Sequence, residues 1–148
     1  MTGSQQSTAA PEQRSSGRFT VRNLGGVALF LFGTTFAWTT PAFAGAGLDT
    51  SGIWWAVAQF LSLAAIVGFT VATWGLFRRS SWWAVASLAS AVIGVLAMVP
   101  YWIAAHASGE TTPWFTVLVH LLGCVGVFVL LLVPSLRAWV DRHVASGR

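Results

Sequence analysis

The most regular feature of the sequence is the alternation of four long apolar stretches with short polar connections. None of these stretches contains Asp, Glu, Lys or Arg, and each holds an apolar run of at least the length that a helix needs to cross a bilayer, about 20 residues. Because a backbone inside hydrocarbon must satisfy its own hydrogen bonds, the runs are predicted to be helices. The four predicted spans are Leu24–Phe43, Ile53–Phe77, Trp82–His106 and Trp114–Leu136.

Small and weakly polar residues recur at steps of three or four along each span, which places them on one helical face. Such residues mark the contact faces of membrane helices, and short connections make sequential helices antiparallel. The predicted fold is therefore an all-α membrane protein, an antiparallel, up-down bundle of four transmembrane helices. Pro100 and Pro134 are expected to kink or end the third and fourth helices. The predicted stripes are Gly26, Gly33, Ala37 and Thr40; Gln59, Ser62, Ile66, Thr70 and Thr73; Ser87, Ala91, Gly94 and Tyr101; and Thr116, His120, Gly123 and Val127, with Cys124 beside them.

The composition explains which solvent surrounds this chain. Of its 148 residues, 55% are hydrophobic and 8% are charged, whereas soluble domains carry about 25% charged residues. So few ionic groups cannot cover a globular surface in water, which excludes an ordinary cytosolic enzyme and a disordered chain. One cysteine allows no intrachain disulfide, which excludes a disulfide-rich secreted module.

The arginines predict the orientation of the bundle. All eight basic residues are arginines, in the N-terminal tail, at Arg78 and Arg79, and in the C-terminal tail, while the other two connections hold Asp49 and Glu110. With four spans every arginine falls on one side, so both termini and the 78–81 turn are predicted to be cytoplasmic. The formal charge of +4 is thus an orientation signal rather than a sign of nucleic-acid binding. The predicted domains are a disordered basic tail (1–22), a transmembrane domain (23–137) and a short cytoplasmic tail (138–148), in a bacterial inner (plasma) membrane.

The first span has a second interpretation, which the residues leave open. A basic segment, an apolar run and the small-residue pattern Ala42-Phe43-Ala44 before Gly45 are also typical of a signal peptide with a cleavage site. Cleavage would leave three spans and would not change the rest of the topology.

The nine tryptophans lie near the predicted span boundaries, which is typical of an aromatic belt at the headgroup level. They also suggest a weak internal repeat. Residues 54–58 and 82–86 both read Trp-Trp-Ala-Val-Ala, and Trp74 and Trp102 follow each pair at the same offset. Because the two spans run in opposite directions, this would be an inverted pair with pseudo-symmetric packing.

The candidate chemistry is confined to neutral polar residues. Because no Asp, Glu, Lys or Arg lies in a span, neither proton coupling by carboxylates nor voltage sensing by arginines is expected. His120 and Gln59 each lie six residues into a span and should share a depth, about 9 Å below the outer boundary. In one interpretation the two side chains hydrogen-bond to each other across the bundle. In the other they line a pocket that binds a quinone or a lipid, and His120 is the hydrogen-bond partner of that ligand. The predicted ligand-binding residues are His120, Gln59, Tyr101, Thr35, Thr39 and Cys124.

Three functions follow from these observations, in decreasing order of expectation. The first is a non-enzymatic structural or accessory subunit that acts through helix–helix contacts, as a homo-oligomer or within a membrane complex. The second is binding or transport of a small apolar or neutral ligand, with a packing or pore stripe of Ser62, Thr70 and Thr73. The third is a membrane-embedded enzyme using His120, or a haem protein with His106 and His120 as ligands. No cofactor, metal or nucleic-acid partner is predicted; the expected partners are the bilayer, other subunits and an apolar small molecule.

Overall fold

The computed structural model describes residues 20–40, 50–107 and 114–145, and the regular structure in these ranges is entirely helical. The predicted all-α class is confirmed. A 3₁₀ turn, Phe36–Trp38, continues α1, and a π-helical turn, Asp141–Ala145, follows α5. The helices are α1 (Val21–Thr35), α2 (Ile53–Phe77), α3 (Trp83–Ala107), α4 (Trp114–Leu132) and α5 (Pro134–Val140).

Three of these helices, α2, α3 and α4, are long and apolar enough to cross a membrane. The 25 residues of α2 reach about 37 Å, more than the roughly 30 Å of a hydrocarbon core. The bounds of α2 are those of the second predicted span, α3 is displaced by one residue from the third, and α4 ends four residues before the fourth. The membrane character expected from the composition therefore resides in these three helices.

The first predicted span is only partly described. α1 has 15 residues, starts after Thr20, whose hydroxyl oxygen accepts a hydrogen bond from the Asn23 N–H (3.3 Å), and passes into the 3₁₀ turn at Phe36. α1 is thus not one of the three helices long enough to span. Residues 41–49, which include the second interpretation's cleavage site, residues 1–19 of the predicted N-terminal tail and residues 146–148 of the predicted C-terminal tail lie outside the described ranges.

The two helix prolines have different effects. Val133 is extended and Pro134 occupies the first turn of α5, so α4 ends at Leu132, as the sequence suggested. Pro100 lies inside α3, which continues to Ala107, so the expectation that it could end the third helix is wrong. Proline fits helical φ and removes one hydrogen bond. Here the ring is buried, and packing on both sides of it holds the helix together.

Glycines set the close approaches between helices. A Cβ on Gly26 would lie 2.6 Å from the Phe77 ring, and one on Gly33 would lie 2.5 Å from Phe69 Cβ, so α1 rests directly on aromatic side chains of α2. A Cβ on Gly68 of α2 would meet the Ser90 hydroxyl of α3 in the same way. These contacts place the helix backbones close together, as small residues do in membrane bundles.

The buried faces agree with the predicted stripes in part. Ser87, Ala91, Gly94 and Tyr101 of α3 are all buried, which confirms that stripe. On α2, Ser62 and Thr73 are buried but Thr70 is exposed, with its hydroxyl donating to the Ile66 carbonyl at 2.8 Å. The inward face of α2 instead follows a three-four spacing with large and small apolar residues: Trp55, Ala58, Ser62, Ala65, Phe69, Ala72 and Leu76. The α1 stripe holds only at Gly26 and Gly33, because Ala37 and Thr40 are exposed.

Candidate ligand-binding cleft

A cleft of about 420 Å³ lies between the end of α1 and the first turns of α4, and we call it the His120 cleft. His120 is the one ionisable side chain among its lining residues, and Thr35 shares the cleft with it. Two of the six predicted ligand-binding residues therefore line one cavity. The lining residues are Thr34, Thr35, Ala37, Trp38, Phe115, Thr116, Val119 and His120.

The His120 side chain is 2% exposed, and its two ring nitrogens have different environments. Nδ1 lies 2.6 Å from the carbonyl oxygen of Thr116, one helical turn earlier on α4. Nε2 is buried and has no hydrogen-bond partner in the part of the chain that the structure describes. A buried polar atom without a partner costs about 1–3 kcal/mol, so this nitrogen is a specific point at which a ligand could bind.

Aromatic side chains hold the His120 ring in place. The Phe36 ring meets it edge-on, with centroids 4.5 Å apart. Phe36 also stacks on Phe69 (6.2 Å) and sits over Gly94, where a Cβ would lie 2.6 Å from its ring. Because Phe36 is fixed by α2 and α3 together, His120 has a rigid neighbour on this side.

Thr116 connects His120 to Tyr101. Its carbonyl oxygen contacts His120 Nδ1, and its side chain lies beside the Tyr101 hydroxyl. Tyr101 is fully buried, with its ring 6.3 Å from that of Trp55. Thr116 was placed on the α4 stripe but not in the predicted site, although its spacing of four residues from His120 could have indicated the contact. Phe36 was also missed, and nothing in the sequence distinguishes it from the other phenylalanines of α1.

Three other predicted residues have their polar atoms occupied or enclosed. The Thr35 hydroxyl donates to the Phe32 carbonyl (2.6 Å), and the buried Thr39 hydroxyl donates to the Phe36 carbonyl (2.8 Å). Cys124 is fully buried, with its sulfur 3.0 Å from where a Cβ on Gly94 would lie. Thr39 and Cys124 do not line the His120 cleft.

Gln59 is paired with a different residue from the one expected. Its Oε1 accepts a hydrogen bond from the Thr40 hydroxyl at 2.8 Å, so the interhelical bond predicted with His120 is not formed. The 3₁₀ turn after α1 carries the chain onward to Thr40, which thereby reaches the start of α2. Gln59 is not among the residues that line the His120 cleft.

The predicted pore stripe borders neither of the two clefts that the described residues form, the His120 cleft and a second one described below. Ser62 and Thr73 are buried against neighbouring helices, and Thr70 faces outward. Ser62 and Thr73 thus lie on the packing face of α2, and Thr70 does not.

A second cleft, of about 520 Å³, lies between α1, α4 and α5, and we call it the α5 cleft. Its walls are almost entirely apolar, and Ser87 contributes the one hydroxyl. Phe32 and Gly123 lie between the two clefts along the seam where α1 faces α4, and a Cβ on Gly123 would collide with the Phe32 ring. Both residues border the α5 cleft, so their contact forms the end of that cleft nearer to His120.

The other histidines lie in different surroundings from His120. His106 is exposed and stacks on Trp102 with centroids 5.3 Å apart, and His143 stacks on Trp139 at 5.0 Å. Among residues 20–40, 50–107 and 114–145, no group of three or more His, Cys, Asp or Glu could hold a metal ion. Comparison with known proteins found no matching family, no curated relative and no similar solved structure.

Proposed function

We propose that this chain is a non-enzymatic, four-span integral membrane protein of a bacterial inner membrane, with sequential helices antiparallel and both termini cytoplasmic. The arginine distribution supports the orientation. The contacts of Gly26 with Phe77 and of Gly33 with Phe69 support an antiparallel α1–α2 pair, because one helix advances along the sequence as the other retreats. α1, its 3₁₀ turn and the residues up to 43 would form the first span.

Single cysteines test this topology in a Cys124→Ala background. Ser51→Cys, Ser81→Cys and Ser135→Cys are matched, nearly isosteric changes at exposed positions before α2, before α3 and after α4. In intact cells, a membrane-impermeant maleimide is expected to label the cysteine at 51 only. Labelling at 81 and 135 should require permeabilised cells. Labelling of 51 and 81 from the same side would contradict the proposal.

We further propose that the protein binds a small apolar molecule from the membrane in the His120 cleft. The observation that carries this proposal is that His120, whose buried Nε2 has no partner among the described residues, lines a cavity whose other walls are largely hydrocarbon. The volume of about 420 Å³ falls within the range of small-molecule sites. A ligand with one polar group would satisfy Nε2 while its hydrocarbon part fills the space beside Trp38, Phe115 and Val119.

Photoreactive probes test binding without knowledge of the natural ligand. We suggest diazirine-bearing long-chain alcohols and their methyl ethers, applied to protein in lipid nanodiscs, with labelled peptides identified by mass spectrometry. Labelling by either probe at 115–120 should be lost in His120→Phe and kept in His106→Phe, a matched change at an exposed histidine. Equal labelling in the two variants would refute the binding site.

The accessory-subunit function is a second candidate, and Gly126 favours it. A Cβ on Gly126 would meet nothing within 4 Å, because Gly126 borders the α5 cleft, and this cleft leaves room beside it for a helix of another subunit. Small residues on membrane helices allow another helix to approach closely. Gly126→Leu is expected to weaken self-association in mass photometry, whereas Ala89→Leu, on the exposed side of α3, is not. A monomer across several detergents would contradict a homo-oligomer.

A further inference from the structure

We infer that the ligand of the His120 cleft carries a hydroxyl group, which donates a hydrogen bond to His120 Nε2. The cleft would then select apolar alcohols or phenols over molecules of the same shape that can only accept hydrogen bonds. This inference rests on the proposed ligand-binding function and specifies the chemistry of the ligand.

The first step is the position of the ring proton. A carbonyl oxygen can only accept hydrogen bonds, so at 2.6 Å from the Thr116 oxygen Nδ1 must carry the hydrogen. A neutral imidazole has one N–H, and Nε2 therefore presents a lone pair. The unpartnered nitrogen is an acceptor and needs a donor.

The second step is the charge of the ring. An imidazolium would present an N–H at Nε2 as well, and the argument would reverse. The stretch 111–136 that carries His120 contains no acidic residue, and neither do 23–48, 50–77 and 80–109, so no carboxylate within the apolar stretches could neutralise the ring. A buried charge without a partner is expensive at such a site, and this cost favours the neutral ring on which the inference depends.

The third step excludes donors that already stand in the cleft wall. The hydroxyls of Thr34 and Thr35 donate to the carbonyls of Leu31 (2.8 Å) and Phe32 (2.6 Å). Thr39, on the following turn, likewise donates to Phe36. These threonine protons are committed to their own helical segment. The cleft wall also carries the Trp38 indole N–H and the Thr116 hydroxyl, and neither bonds Nε2, which has no partner among the described residues, so we take the donor to be a bound molecule.

Two probe pairs test the inference, each differing only by replacement of O–H with O–CH₃. A linear pair is a long-chain alcohol and its methyl ether; a ring-bearing pair is an alkylphenol and the corresponding alkylanisole. Each methyl ether keeps the acceptor oxygen and loses the donor. Comparison of the two pairs also distinguishes a linear ligand from a ring-bearing one.

In nanodiscs, at least one hydroxyl probe is expected to label residues 115–120, or to compete with another probe for that labelling, about tenfold better than its methyl ether. A tenfold difference is the size of effect expected for one buried hydrogen bond. His120→Phe should remove this preference, and His106→Phe should retain it. In ¹⁵N-histidine spectra, the His120 signal, assigned by its loss in His120→Phe, should show the hydrogen on Nδ1.

The outcomes separate the two proposals. If ethers bind as well as hydroxyl probes but still require His120, or if the spectrum shows hydrogen on Nε2, the hydroxyl inference is wrong and the binding site stands. If no probe binds in a His120-dependent way, the proposed site and the inference fail together.

Discussion

Arg79 adopts a backbone conformation that usually belongs to glycine. Its φ of 57° follows the last turn of α2, where the Ser80 N–H donates to the Gly75 carbonyl (2.9 Å) and the Arg79 N–H donates to the Leu76 carbonyl (3.1 Å). This pair of bonds is the Schellman ending of a helix, which most often uses glycine at this position. A side chain in the left-handed region costs about 1–2 kcal/mol.

Arg79→Gly is therefore expected to raise the free energy of unfolding by up to about 1 kcal/mol, since the relief of strain exceeds the entropy cost of glycine. The measurement is reversible unfolding in mixed micelles, followed by circular dichroism. Arg78→Gly is the matched control, because Arg78 has helical φ and stacks on Trp74 at 4.7 Å, so its loss should destabilise the protein. A loss of stability in both variants would contradict the strain argument.

Among the helices, the contact between α1 and α4 depends on a glycine. Gly123→Ala would drive a methyl group into the Phe32 ring, so Phe32 must rotate or α1 and α4 must separate. The expected cost is about 1–3 kcal/mol of unfolding free energy. Gly126→Ala, one turn further along α4 with open space around it, should be neutral or slightly stabilising because alanine favours helix.

The same unfolding assay measures both glycine variants. Equal effects at the two positions would mean that Phe32 adapts without cost and that the seam is not a tight contact. If Gly126→Ala lowers the free energy of unfolding and Gly123→Ala does not, the packing that stabilises this face of α4 is with another molecule rather than with α1.

α2 and α3 share a burial pattern at an offset of 28 residues, the same offset as their Trp-Trp pairs. The first tryptophan of each pair is exposed, and the second is 7% exposed. Ser62 and Ser90 are both buried, as are Thr73 and Tyr101. The weak repeat in the sequence thus corresponds to similar inward faces on the two helices.

The sequence predicts some of these features better than others, for physical reasons. Hydropathy locates α2, α3 and α4 because their lengths are set by how far apolar residues extend. The α2 stripe was chosen by polarity and included the exposed Thr70, whereas the inward face also uses Ala65 and Phe69. Alanine is as small as a weakly polar residue, so polarity alone could not locate the contact face.

The candidate site was predictable only at its histidine and one threonine. His120 and Thr35 were expected together and do line one cleft. The partner of Gln59 and the position of Phe36 depend on the 3₁₀ turn that ends α1 and on how α1 rotates against α2 and α3. Those rotations are set by contacts between residues far apart in sequence, such as Phe36 with Gly94.

At the scale of the whole molecule, the apolar residues are distributed over the outside as well as the core. Large side chains such as Phe60 (72% exposed) and Ile53 (71%) face outward, and seven of the nine tryptophans are exposed. Such a surface would aggregate in water and is compatible with lipid. Small residues and two tryptophans form much of the interior, which is the arrangement expected when helices pack without a hydrophobic driving force.

The two clefts lie along the same seam, and their separation is the basis of a prediction about ligand size. Phe32→Ala removes the ring that divides them and is expected to join the His120 cleft to the α5 cleft. Longer photoreactive probes should then label residues around Leu130 in the variant. The same probes should not label these residues in the wild-type protein. The truncation should also cost about 3–5 kcal/mol in the unfolding assay.

Phe30→Ala is the control for this change, since Phe30 lies on the exposed side of α1. In Phe30→Ala, the longest probe that labels the protein and the set of labelled peptides should both be the same as in the wild-type protein. An unchanged length limit in Phe32→Ala would show that another contact separates the clefts.

The seam between α1 and α4 also determines when the cleft can come into being. α1 leaves the ribosome first of the described helices and α4 last of the three long ones, so contacts of α1 with α2, and of α2 with α3, can form while synthesis continues. Until α4 inserts, the α1 wall of the His120 cleft borders the bilayer alone. We therefore expect the cleft to exist only after the last long helix has docked, so a shortened chain that stops before α4 should lack the probe labelling seen in the full chain.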